Sequence, residues 1–188
     1  MDTKLKRIDR KQVHSGTILD VYSDTMLLAN GKTAQWDILH YKPVGGACIV
    51  APLPDGRIIL TRQYRPAVER ITLELPAGQR DRLPDGSMED PSITARRELW
   101  EETGYTCESA RHLLSLQSAV AYCDETTHVF LAEGVSFTGR QHLDGGEEIE
   151  VVLMEPAALE KLIYSGEIRD VKTLTGLLAY FHLPDTAS

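Results

Sequence analysis

The sequence has few cysteines, no basic excess and no long apolar run, and each shortage excludes a class of protein. Its three cysteines, Cys48, Cys107 and Cys123, are odd in number and widely spaced, with no CxxC pair. That argues against a disulfide framework and fits a reduced, cytoplasmic setting. Lys and Arg total 20 against 28 Asp and Glu, a formal net charge of −8. An acidic surface repels nucleic acid and anionic membranes, so neither is an expected partner. An anionic phosphate compound can still bind where divalent cations bridge the two. No apolar run approaches the roughly 20 residues needed to span a bilayer. Met1 to Arg10 is charged and lacks the apolar centre of a secretory signal. The histidines (His14, His40, His112, His128, His142 and His182) show no metal-ligand spacing, so zinc is not expected. Asn30-Gly-Lys-Thr33 mimics the tail of a phosphate-binding P-loop, but Met26 stands where the first glycine belongs and no GxGxxG stretch supports a dinucleotide fold.

What is present is an ordinary globular composition, 42% hydrophobic over 188 residues, enough for one sizeable core. Residues 13–40 alternate like strands around Asn30-Gly31, a strong hairpin signal. They predict an N-terminal β-meander, and residues 1–42 are taken as one unit, 43–188 as the other. Val44 to Ala51, Arg57 to Gln63 and Ile71 to Leu75 have strand length, with a turn at Pro54-Asp-Gly56. Residues 78–90 read as loop. Asp90-Pro91 then opens a helix with an N-cap and a first-turn proline, and Gly104 closes it. Strands are expected near 112–121, 127–133 and 147–154, and helices over Pro156–Tyr164 and Val171–Phe181. Strands and helices mixed without strict alternation predict an α/β sandwich with a mixed sheet.

The most informative segment is Arg97-Glu-Leu-Trp-Glu-Glu-Thr-Gly-Tyr105. On a helix, positions i, i+3 and i+4 are neighbours. Glu98, Glu101 and Glu102 therefore crowd into an arc of about 100°. Such a cluster is either a solvated acidic face or a site for hard divalent cations, Mg²⁺ or Mn²⁺.

The surroundings favour the second reading. Glu89, Arg97-Glu98, Leu99, Glu101-Glu102 and Gly104 keep the spacing of G-x5-E-x7-R-E-U-x-E-E-x-G-U, where U is bulky and apolar, with Tyr105 in the last position. In this the chain resembles the Nudix hydrolases. The opening glycine is displaced: Leu83 holds its slot, and Gly78 is separated from Glu89 by ten residues where the pattern has five. This implies a five-residue insertion centred on Asp81 to Gly86, in a loop where length is tolerated.

The resemblance implies a Nudix-type α/β/α sandwich and a set of roles. Glu98, Glu102 and Glu101 are the expected metal ligands, joined by the Ala77 carbonyl. Glu89 and Arg97 orient them. Arg62-Gln-Tyr-Arg-Pro66, Leu73-Glu-Leu-Pro-Ala-Gly78 and Ser165-Gly-Glu-Ile-Arg-Asp-Val-Lys-Thr173 are similar to the ADP-ribose pyrophosphatase branch. In that branch the meander helps build a homodimer whose subunits share each site. Trp36 is then a candidate to stack on the adenine, or a packing residue. Arg65 is a candidate for phosphate or ribose oxygens, or a surface ion pair. Glu74, Gly78 and Glu125 complete the expected substrate contacts.

The catalytic base is expected in Asp144-Gly-Gly-Glu-Glu-Ile-Glu150, from Glu147 or Glu148, either of which could also ligate metal. Glu101 and Arg97 are carried over with them as catalytic. Glu150 is expected to point outward on the next strand. Where the branch has Ser-Pro-Gly before an acidic pair, this chain has Ser118-Ala-Val-Ala-Tyr-Cys-Asp-Glu125. The implied reaction is metal-dependent hydrolysis of ADP-ribose to AMP and ribose 5-phosphate. Two other readings stand beside it: hydrolysis of another nucleoside diphosphate sugar or dinucleotide, and a non-catalytic ADP-ribose sensor, which lost box glutamates would mark.

Overall fold

A computed structural model describes residues 4–43, 45–143 and 145–183. Val44, Asp144 and the ends 1–3 and 184–188, which fall within segments read above, lie outside the described residues. The chain opens with β1 (Lys6–Ser15), β2 (Leu19–Leu27) and β3 (Thr33–Tyr41), an antiparallel three-stranded sheet. Its first strand starts earlier than the alternation at residue 13 suggests. Every residue of β1 is exposed, so no buried face imposed a periodicity to read. Asp24 is the buried residue of this sheet, held by two short bonds from Arg10 at 2.7 and 2.6 Å.

Next come β4 (Gly46–Val50), β5 (Ile58–Arg65), β6 (Arg70–Glu74) and β7 (Ala77–Gln79). The helix α1 (Pro91–Thr103) follows, then β8 (Tyr105–Thr106), β9 (Ser109–Leu116), β10 (Thr127–Glu133), β11 (Ser136–Phe137) and β12 (Ile149–Met154). Helices α2 (Pro156–Tyr164) and α3 (Val171–Phe181) close the fold. A mixed sheet runs β7-β4-β10-β9, with β4 and β10 parallel, and a separate antiparallel sheet runs β12-β5-β6. The ninth strand stops at Leu116, short of the expected 121, because the chain leaves the sheet for a loop pinned to β3. There, Leu39 donates to Tyr122 O, Asp124 N–H donates to Leu39 O, and the Asp124 carboxylate meets His40 at 2.6 Å. The 78–90 segment is not all loop. Its insertion folds as a small hairpin, with Arg82 bridged to Met88.

The sandwich follows from alternation along β4. Ala47, Ile49 and Ala51 pack with Ala95 and Leu99 of α1, while Cys48 and Val50 pack with Leu159 and Leu177 of α2 and α3. Burying Leu99 alone contributes about 2 kcal/mol. The Asp90 side chain caps α1 by accepting from Ser92 N–H, as Asp-Pro predicted. Gly104 ends the helix with φ 72°, and a side chain there would also collide with the Arg140 backbone. Among the described residues, no helix is long and apolar enough to cross a membrane.

Candidate active site

The acidic face of α1 looks into a cavity of about 350 Å³ lined by Gln63, Arg65, Ala77, Gly78, Gln79, Asp81, Arg97, Glu98, Glu101, Glu102, His142 and Glu147. Packing explains the arrangement. Leu99 and Ala95 dock the helix on β4, which turns positions 98, 101 and 102 toward β7 and the loop before β12. Glu102 is 4% exposed and accepts from Ala77 N–H at 3.1 Å. Glu98 and Glu101 both accept from Arg97 Nη1, at 2.8 and 2.9 Å. Arg97 Nη2 donates to the Gln79 carbonyl and to Glu89, which is buried and also accepts from the Thr94 hydroxyl at 2.7 Å. Arg97 is thus the hub that orients these acids.

One arginine does not neutralise so many carboxylates, because Arg65, the other cation here, is committed to Glu74. Burial pushes the Glu102 carboxyl up to about 8, with Glu98 and Glu147 adding repulsion against the Ala77 hydrogen bond. Burial likewise raises Glu98 to about 7, although Arg97 opposes it. Both groups are short of positive charge. Carboxylate oxygens with a backbone carbonyl nearby form a hard donor set that suits Mg²⁺ or Mn²⁺. Among the described residues, no three acidic or imidazole side chains already converge as a closed cage. Glu98 and Glu101 are turned onto Arg97 instead, and a cation would draw them off it.

Gly78 makes room for this cluster. A Cβ there would overlap the Glu98 carboxylate. That carboxylate ends a flexible side chain, so Gly78→Ala is expected to leave Tm nearly unchanged while displacing Glu98. We expect activity to fall roughly 10–100-fold, checked by kinetics beside a melting curve. A Tm loss as large as that of a core mutation would contradict this account.

A second cavity, of about 400 Å³, shares the wall formed by Arg65, Ala77, Gly78 and Gln79. It continues past Tyr41, Ser118, Glu125, Thr127, Asp170 and Lys172. Glu125 is raised by burial, with Lys172 opposing. Tyr41 is pushed up to about 12 by burial and by the nearby Glu125, so its hydroxyl keeps its proton.

The structure brings Ala77, Gly78, Glu98, Glu101, Glu102, Arg97, Glu147, Arg65 and Glu125 to these two adjacent cavities. Glu148 is exposed on the same loop and lines neither. Glu150 points outward to Arg62 at 3.1 Å. Trp36 sits mid-strand opposite Asp24, 41% exposed, and does not line either cavity within its own chain. The expectation for Glu74 changes. It is 2% exposed and locked to Arg65 through two bonds at 2.7 and 2.6 Å, to Lys172 and to Thr72. So enclosed, Glu74 lines neither cavity and holds Arg65, which lines both. Sequence reasoning missed Asp81, His142, Tyr41 and Lys172. Lys172 was readable only as part of the Ser165–Thr173 segment; Asp81 and His142 are brought to α1 by the fold, and Tyr41 to the second cavity.

A helix face of carboxylates lining a cavity beside a second polar one is a candidate site for divalent cations. Residues 42–175 match the NUDIX domain model, and the chain belongs to that family. An ADP-ribose pyrophosphatase of Bacillus subtilis is 36% identical over 169 residues, spanning 89% of this chain and 88% of that protein. A methanol dehydrogenase activator of Bacillus methanolicus is 36% identical over 172 residues, 90% of this chain and 88% of its own length. A crystal structure of an ADP compounds hydrolase superposes with a TM-score of 0.79 over 95% of this chain and 93% of that one, at 20% identity. That last likeness speaks to fold alone.

Proposed function

We propose that this protein hydrolyses the diphosphate linkage of ADP-ribose, with Mg²⁺ or Mn²⁺, to AMP and ribose 5-phosphate. The observation that carries this is the acidic cavity beside α1, which shares Arg65, Ala77, Gly78 and Gln79 with a second, partly polar cavity next to it. Diphosphate fits the first and a nucleoside or sugar end the second. The ADP-ribose pyrophosphatase relative supports the choice of substrate.

Glu98 and Glu102, with Glu101, Glu147 and the Ala77 carbonyl, would hold the cation. When bound it neutralises diphosphate oxygens and makes phosphorus more electrophilic. Arg65, at the junction of the cavities, binds phosphate oxygens while Glu74 fixes its guanidinium. Arg97 and Glu89 keep the box acids in register. Glu147, or Glu148 beside it on the loop, takes the proton of the attacking water. Water oxygen bonds to one phosphorus, and the bridging oxygen leaves on the other phosphate. Glu125 and Tyr41 border the end that holds a ribose.

The three-stranded N-terminal sheet supports a further part of the reading. It leaves Ile8, Val13, Ile18 and Trp36 exposed, and a sheet of this size is stable only when a face is covered. We take residues 1–42 as a dimerisation unit that offers Trp36 to the partner's site, and 43–188 as the hydrolase unit. Free Cys48, Cys107 and Cys123 fit a cytoplasmic setting.

Chromatography of the products tests the chemistry. With Mg²⁺, ADP-ribose should yield AMP and ribose 5-phosphate in equal amounts. ADP with free ribose, or no cleavage with tight binding, would contradict it. The loop over Ser118–Tyr122 departs from the branch beside the second cavity, which favours another nucleoside diphosphate sugar as the second reading.

A further inference from the structure

The segment leading to the acidic loop is stitched onto the C-terminal turn of α1. Thr138 donates from its N–H and its hydroxyl to the Gly104 carbonyl, both at 2.8 Å. Gln141 Nε2 donates to the Glu102 carbonyl at 2.6 Å and to the Ile149 carbonyl at 3.0 Å. The His142 N–H donates to the Glu101 carbonyl at 2.7 Å. The last carbonyls of a helix lack intrahelical donors, and here the loop supplies them.

The His142 side chain adds a different contact. Its imidazole lies on the Trp100 indole, ring centroids 3.9 Å apart and planes 21° from parallel. Its Nδ1 is buried with no hydrogen-bond partner. Buried polar atoms are ordinarily bonded, so polar satisfaction does not explain where this ring sits. The stack and the backbone bond do. Trp100 lies between Glu98 and Glu101 in sequence, and His142 lines the same cavity as Glu98, Glu101, Glu102 and Glu147. Gly145 and Gly146, the latter at φ 107°, have nothing near the place a Cβ would take. Beside the Thr138 hydroxyl and the Gln141 amide, which bond helix carbonyls, the His142 ring is the tie that rests on a side chain of α1.

We propose that the Trp100–His142 stack is a positioning device for the general base. It fixes the start of the acidic loop on the helix that carries the metal-binding carboxylates, and so sets how far Glu147 reaches into the cavity. This rests on reading Glu147 as the base. The two rings act through Glu147 and not on the substrate. Their effect is on placement, where small errors are costly in rate.

The test uses the full chain with ADP-ribose and Mg²⁺. His142→Ala and Trp100→Ala should each lower kcat by about tenfold with KM within about twofold, because placement of the base is a transition-state property. The double variant should be no slower than the slower single one, as expected for residues that act as a unit. His142→Phe, which keeps a flat ring and loses the nitrogens, should recover kcat to within about threefold of the parent. Fluorescence gives a readout independent of activity. The chain has two tryptophans, so in a Trp36→Phe background His142→Ala should change Trp100 emission and His142→Phe much less. Additive losses, a His142→Phe variant as slow as His142→Ala, or an unchanged kcat in all of them would overturn the proposal. Glu147→Gln separates the two ideas. Full activity in that variant would overturn the assignment of the base, and the positioning role with it, while the emission change would still report the stack.

Discussion

Glu102→Gln is expected to lower kcat on the order of a thousandfold and, without metal, to make the protein more resistant to heat at pH 9. The two effects share one cause. Glu102 is a carboxylate enclosed by the protein, with Glu98 and Glu147 nearby and one backbone N–H, from Ala77, to accept from. Glutamine keeps the shape and can keep the Ala77 bond. It removes the charge that a divalent cation and a developing phosphoryl charge require. Activity within tenfold of the parent would contradict the assignment.

The sign of the stability effect follows from proton linkage. The folded-state Glu102 is raised to about 8 and Glu98 to about 7, against an ordinary 4.5. Below pH 4.5 both states hold these protons and the groups cost nothing. As pH rises the unfolded chain releases them while the folded protein retains them, so stability declines. The loss is complete once pH has passed 7 for Glu98 and 8 for Glu102. The metal-free parent should lose Tm between about pH 5 and 8, and Mg²⁺ should restore it most at the alkaline end, because cations displace protons from their ligands. Glu102→Gln should remove much of this slope, a gain on the order of 2 kcal/mol at pH 9. Calorimetry across pH with EDTA or Mg²⁺ checks it, and a parent Tm that rises over this range without metal would contradict it.

Glu74→Ala is expected to cost about 3 kcal/mol of stability, chiefly from leaving the largely enclosed Lys172 charge short of a partner, since the Arg65 side chain is 42% exposed and can regain water. Both cations lose Glu74. Arg65 makes both of its short guanidinium bonds to Glu74, and Lys172, its side chain 17% exposed, meets the same carboxylate at 2.5 Å. Asp170 would remain for Lys172 at 3.0 Å, while Arg65 would be free to leave the cavity wall. Activity should therefore fall with stability. Burial opposes ionisation of Glu74, yet Arg65, Lys172 and Thr72 outweigh it and hold the group down near 2. A lowered carboxyl contributes its stability above about pH 4.5 and loses it as pH falls toward 2. The parent should show that acid-side decline, and the variant should lack this group's share of it. Urea unfolding at pH 7 and pH 3 measures both, and a loss below 1 kcal/mol at pH 7 would contradict the account.

The box helix was legible because local rules coincide there. Asp90-Pro91 and Gly104 bound it, and the spacing of Glu98, Glu101 and Glu102 is a property of the helix itself. The core strand over Gly46–Val50 was legible as an apolar run. The limits of β1 were not, since a strand exposed along its length carries no alternation. Nor was the end of β9, where His40 and Asp124, distant in sequence, hold the following loop. Glu74 was picked out through its motif, but its role needed Lys172, which lies 98 positions away. The hairpin built from the insertion places Asp81 beside Arg97 at 3.6 Å, a contact no spacing predicts. Sequence exposed what is local to one element, and hid what depends on two elements meeting.

The most direct test of the central claim is phosphate release, with an added phosphatase, from ADP-ribose, ADP-glucose, GDP-mannose, NADH and diadenosine polyphosphates. The parent and Glu102→Gln would be compared with Mg²⁺ and with EDTA. Metal-dependent cleavage led by ADP-ribose and lost in the variant is the expected result. Cleavage that persists in EDTA or in Glu102→Gln, or no cleavage of any compound by the parent, would contradict it.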